Sequence, residues 1–115
     1  MRLFGLALLA LLAAAPASAQ TIGSMAAANH AGENVTVCGR VASVKILPQQ
    51  DVVLSFDYAY PSQFFSVLIL GMDRQKFNGN ELTMVGHRMC GSGIVRLGEG
   101  RAQMLIKDAT KLAPE

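Results

Sequence analysis

Residues 33–47, ENVTVCGRVASVKIL, constrain the fold more than any other stretch. Val35, Val37, Gly39 and Val41 alternate with polar residues, as a strand with one buried face requires. Beyond Ala42 and Ser43 the apolar positions become Val44 and Ile46, one residue out of step. The side-chain period of a strand is two, so a slip of one residue sends every later side chain to the opposite face. A β-bulge between Gly39 and Ser43 produces this slip and bends the strand so that it serves two sheets. Such a strand begins a small closed barrel.

The remaining elements follow in order. Residues 21–31, TIGSMAAANHA, are alanine-rich and predict a short helix, with Ser24 as N-cap, His30 in the last turn and Gly32 as terminator. Pro48-Gln49-Gln50 reads as a turn. A second strand over 51–57 places Val52, Leu54 and Phe56 inward. Tyr58-Ala59-Tyr60-Pro61 is an aromatic loop, and a third strand over 63–70 turns Phe65, Val67 and Ile69 inward. Its other face, Phe64, Ser66, Leu68 and Leu70, is unusually apolar, which points to a covering element or a binding surface. Residues 73–77, DRQKF, predict one helical turn with Asp73 as N-cap and Phe77 anchored in the core. A fourth strand over 86–97 has Met89, Gly91, Gly93, Val95 and Leu97 inward, the glycines marking close approach. A hairpin at Gly98-Glu99-Gly100 leads to a fifth strand over 101–107 with Ala102, Met104 and Ile106 inward. Residues 108–115 read as a partly ordered edge.

Residues 1–19 have the form of a secretory signal peptide. Arg2 supplies the positive start, Leu3 to Ala15 the apolar run, and Ala17-Ser18-Ala19 the small-residue cleavage pattern. The run is shorter than the about 20 apolar residues of a spanning helix. The expected exported domain, periplasmic or secreted, therefore covers residues 20–115 as a single unit. Removing the signal takes away Arg2 and lowers the formal charge from +2 to +1. This near-neutral balance lacks the strongly basic excess common in domains that grip nucleic acid by charge.

Helix, three strands, short helix and two strands is the order of a mainly β, five-stranded Greek-key OB barrel. An SH3-like barrel or an open sandwich accounts less well for the turn at residues 73–77. The phrases GENVTVCGRVASV, YPSQFFSVLILGMDRQKF and VGHRMCGSGIVRLGEGRAQMLI also resemble small secreted bacterial OB-fold domains. Those are similar to nucleic-acid-binding OB domains of the anticodon-binding and helicase type. The resemblance spans about Ala26 to Lys107, and it implies an OB barrel that binds an oligonucleotide or another polymer.

Cys38 and Cys90 are the only cysteines. With Val37, Val41, Met89 and Gly91 inward, both point outward, and in an OB barrel the first strand pairs with the fourth. In an oxidising compartment they are expected to form a disulfide, contributing on the order of 4 kcal/mol. His87 and Cys90 have an HxxC spacing, but residues three apart on a strand face opposite ways, so no metal site is expected. No nucleophile, metalloprotease or phosphate-loop motif is present, and the carboxylates sit mostly at turns. The expectation is a binding protein without cofactor, not an enzyme.

OB barrels bind polymers across strands two and three and the adjoining loops. In this chain that region offers Tyr58, Tyr60 and Phe64 as stacking surfaces, with Arg74, Lys76 and Arg101 as phosphate partners. The expected partner is single-stranded nucleic acid. The alternative is a protein or peptide of the cell envelope, bound by the apolar outer face of strand three.

Overall fold

The computed structural model describes residues 20–115. The expected signal peptide, residues 1–19, lies outside the described residues. The strands are β1 (Gln20–Gly23), β2 (Asn34–Ile46), β3 (Val52–Phe56), β4 (Phe65–Ile69), β5 (Arg88–Gly98), β6 (Arg101–Leu105) and β7 (Leu112–Pro114). Seven-residue 3₁₀ helices span Ser24–His30 and Gly71–Phe77. Among the described residues, no helix is long and apolar enough to cross a membrane.

The fold is mainly β and barrel-like, and β2 organises it. Its first half pairs antiparallel with β5, from Asn34↔Ile94 to Arg40↔Arg88. Its second half pairs with β3, from Val41↔Phe56 to Ile46↔Val52. The register slips between Val41 and Ser43, leaving Ala42 as the extra residue of a bulge. This is the phase change legible in the sequence. From β3 the pairing continues to β4, then in parallel to β6, and through β6 to β5. Pairing thus runs from β2 around to β5 and back to β2.

Alternation along these strands fills the interior. Val35, Val37, Val41, Leu54, Phe56, Phe65, Val67, Val95, Met104 and Ile106 are all buried in one cluster. Phe56 and Phe65 meet edge to face, their ring centroids 5.1 Å apart. Ala27 of the first 3₁₀ helix and Phe77 of the second join this core. Gly91 is small for a reason: a Cβ there would lie 3.2 Å from both Ile106 Cδ1 and Val67 Cγ2. Leu97, expected inward, is 57% exposed, although its cross-strand partner Ala102 belongs to the core.

The ends of the domain differ from the sequence reading. Residues 20–23 are a strand, paired in parallel with β2 from Gln20↔Val35 to Gly23↔Cys38. Ser24 is not an N-cap. It lies inside the 3₁₀ helix, buried, and its hydroxyl donates to Asp57 Oδ2. Asp57 also accepts from the Arg40 amide, and a Cβ on Gly39 would fall 2.6 Å from its Oδ2. The expected loose tail is instead ordered as β7, paired with β5 from Met89↔Pro114 to Gly91↔Leu112. Asp73 likewise does not cap its helix; Leu70 holds that position. Asp51 accepts from the Gly71 amide at 2.8 Å instead, satisfying a helix-start donor from a distant loop.

Cys38 and Cys90 are directly opposite in the β2–β5 register and form a disulfide. With Cys90 bonded to Cys38, its sulfur is no thiolate ligand, and the HxxC spacing carries no metal chemistry in this state.

Candidate functional site

The register fixes what lies on the outer face of the barrel. Opposite the core, Ser43, Ser55, Ser66, Gln103 and Arg96 fall in one row across β2, β3, β4, β6 and β5. A second row holds Lys45, Val53, Leu68 and Leu105. Side chains on one face of paired strands are neighbours, so these rows form a half-polar, half-apolar floor.

The aromatic loop between β3 and β4 crosses this floor. The Tyr60 amide donates to Ser43 Oγ at 3.0 Å, and the Lys45 ammonium lies 5.7 Å from the Tyr60 ring centroid, within cation–π range. Tyr58 and Phe64 pack edge to face with centroids 5.4 Å apart. All three rings keep substantial free surface: Tyr58 is 46%, Tyr60 42% and Phe64 48% exposed. The covered floor explains why Val53, Ser55 and Ser66 are buried although they face away from the core. Ser55 Oγ is buried without a hydrogen-bond partner.

Two hollows flank Arg101. The larger, about 530 Å³, lies between the first 3₁₀ helix and the β5–β6 hairpin, with Met25, Phe64, Gln63 and Glu99 among its lining. The smaller, about 220 Å³, is lined by Tyr60, Val53, Ser66 and Gln103. Gln63, Glu99, Arg101 and Ala102 border both. Arg101 Nη1 donates to the Gln63 carbonyl at 2.7 Å, which fixes the guanidinium between them.

Of the residues singled out in the sequence, Tyr58, Tyr60, Phe64 and Arg101 therefore share one region. Arg74 and Lys76 do not line either hollow. They sit on the second 3₁₀ helix, where Arg74 Nε pairs with Glu81 Oε2 at 3.1 Å and Lys76 Nζ with Asp73 Oδ1 at 3.0 Å. Sequence reasoning missed Lys45, Gln63, Glu99 and Gln103. The signal for two of them was present: Lys45 and Gln103 fall on the polar phase of strands whose other phase is core.

No family model matches the chain, and none of the curated proteins matches it. Among solved structures, it is similar to a crystal structure described as an aspartyl-tRNA synthetase from Leishmania major Friedlin. The TM-score is 0.53 at 9% sequence identity, with 90% of this chain and 22% of that chain covered. The chain thus spans under a quarter of that protein's length. At this identity the likeness bears on fold alone: a barrel-like β domain.

Proposed function

We propose that residues 20–115 form one exported OB-fold domain that binds a single-stranded nucleic acid, or a polymer like it, and performs no catalysis. The bulged β2 shared between β5 and β3, and the parallel β4–β6 pairing that completes the circuit, support the OB assignment. The likeness to part of an aspartyl-tRNA synthetase supports it further. One observation carries the functional reading: Tyr58, Tyr60, Phe64 and Arg101 gather over the outer face of β3, β4 and β6. Rings on such a face stack on bases, and a guanidinium pairs with phosphate or base edges. Arg74 and Lys76, held by acids, are left out of the proposed interface.

The test is direct, because the chain has no tryptophan and only Tyr58 and Tyr60 as tyrosines. A single-stranded oligonucleotide should quench their emission on titration at low salt. The affinity should fall only shallowly with salt, because Lys45, Arg96 and Arg101 are few cations to neutralise phosphates. Absence of binding at high micromolar oligonucleotide would remove this reading. A second reading, an envelope peptide adaptor, is favoured by Met25 and Phe64, both well exposed beside the larger hollow. Export has its own check: intact mass from the native host should correspond to a chain beginning at Gln20, and a mass retaining residues 1–19 would count against it.

A further inference from the structure

A surface that only tracked a backbone would need cations and flat rings. The smaller hollow holds more. Its lining places a guanidinium (Arg101), a carboxylate (Glu99) and two carboxamides (Gln63 and Gln103) beside the Tyr60 ring. Arg101 is oriented by the Gln63 carbonyl, which occupies one of its five N–H donors and leaves the others. Neither Arg101 nor Glu99 makes an ion pair among the described residues. Gln63 is 7% exposed, and its Oε1 has no partner. A volume of about 220 Å³ lies below the range of roughly 300–1,000 Å³ typical of drug-sized ligands, so one ring system fits better than a whole nucleotide.

Glu99 is the informative group. A carboxylate at this point repels phosphate, so the hollow is ill suited to a backbone. It suits a base edge that presents donors. We propose that the hollow between Tyr60 and the β5–β6 hairpin is a base-reading pocket and that the base it selects is guanine. The inference rests on the nucleic-acid reading above. Guanine offers O6 and N7 together as acceptors, the edge that an arginine pairs in bidentate fashion. Its N1–H and N2–H₂ groups on the adjoining edge are donors that the two oxygens of Glu99 can accept. Adenine puts an amino donor where the Arg101 donors need an acceptor. Thymine has one ring donor and cytosine lacks the paired O6/N7 edge. Tyr60 supplies the stacking wall, and Gln103 lies in the lining beside it, while Gln63 acts through its main-chain carbonyl by holding Arg101.

The experiment is anisotropy titration with labelled ten-residue oligo-dT carrying one central dG, dA, dC or dT. A single dG avoids the self-association of guanine runs. The dG oligonucleotide should bind about tenfold more tightly than the other three. Glu99→Gln keeps the side-chain shape and should bring the dG oligonucleotide to the level of the others. Arg101→Lys keeps the charge but loses the planar fork, and should do the same. Equal binding of all four, preference for another base, or a dG preference that survives Glu99→Gln would each overturn the proposal. If no oligonucleotide binds, the polymer reading falls, and guanosine monophosphate decides the pocket by amide chemical shifts. Shifts centred on Tyr60, Glu99 and Arg101 would keep it; no shifts there would overturn it.

Discussion

Two regions of the barrel carry basic side chains, and they use them differently. On the second 3₁₀ helix, Arg74 and Lys76 each lie beside an acid that is itself buried: Glu81 is 2% and Asp73 6% exposed. Arg74 also reaches the Gln50 side chain at 3.2 Å, tying the helix to the β2–β3 loop. On the outer face, Arg101 rests on a neutral carbonyl and Lys45 on an aromatic ring. Those contacts orient a cation without neutralising it. The same residue types thus act as structural counter-ions in one place and as available charge in another. What separates them is whether the cation is paired with a buried acid, not the cation itself.

That contrast can be broken most severely at Arg74. Arg74→Ala leaves the Glu81 carboxylate buried without its cation, and should cost about 3–5 kcal/mol in urea unfolding. Oligonucleotide affinity, measured on the folded fraction, should stay unchanged; a matching loss of affinity would return Arg74 to the interface. Removing the disulfide with Cys90→Ser should cost about 2–4 kcal/mol, again without touching the outer face. An undiminished midpoint would show that the bridge constrains the unfolded chain less than its span suggests. On the other side, Tyr60→Ala should weaken oligonucleotide binding roughly tenfold or more, since stacking is worth about 1–3 kcal/mol per base. Its unfolding midpoint should move far less than that of Arg74→Ala. The smallest effect belongs to Lys76→Ala. Its side chain is 54% exposed, so water can take over much of its role toward the buried Asp73 carboxylate; stability should fall by about 1 kcal/mol, well short of Arg74→Ala, and affinity should not change.

Much of the frame was legible because it rests on period-two patterning. The bulge, the inward sets of β3, β4 and β6, and the matching phases of Cys38 and Cys90 all follow from alternation. Strands β1 and β7 were not legible: each is too short to display a period, and each forms by pairing with a strand already in place. Helices form near Ser24 and Asp73 as expected, except that residues 21–23 are strand, and both helices are capped differently from the sequence reading. Asp51, from a distant loop, satisfies the Gly71 amide, and Ser24 gives its hydroxyl to Asp57 instead of serving a helix amide. In the candidate site the rings stood out as exposed aromatics in a loop. The pairing of Arg74 with Glu81 did not, since seven residues and a turn at Asn78–Gly79 separate them. Gln63 was invisible for a different reason: its role rests on burial and on a main-chain oxygen, neither of which a residue type announces.

The bridge between Cys38 and Cys90 has a consequence for how the barrel breathes. It ties β2 to β5 within their pairing and, with β1 and β7 flanking that pair, should make this the slow side in hydrogen exchange. The seam between β4 and β6 has no such tie, and it is parallel, the kind of pairing that is weaker per residue. Transient parting of the strands should therefore favour that seam, whose Ser66↔Gln103 pair lines the smaller hollow with Gln63 and Arg101. Amide protons of β4 and β6 should exchange first, and a molecule lodged across them would act as a removable staple where the chain has no covalent one.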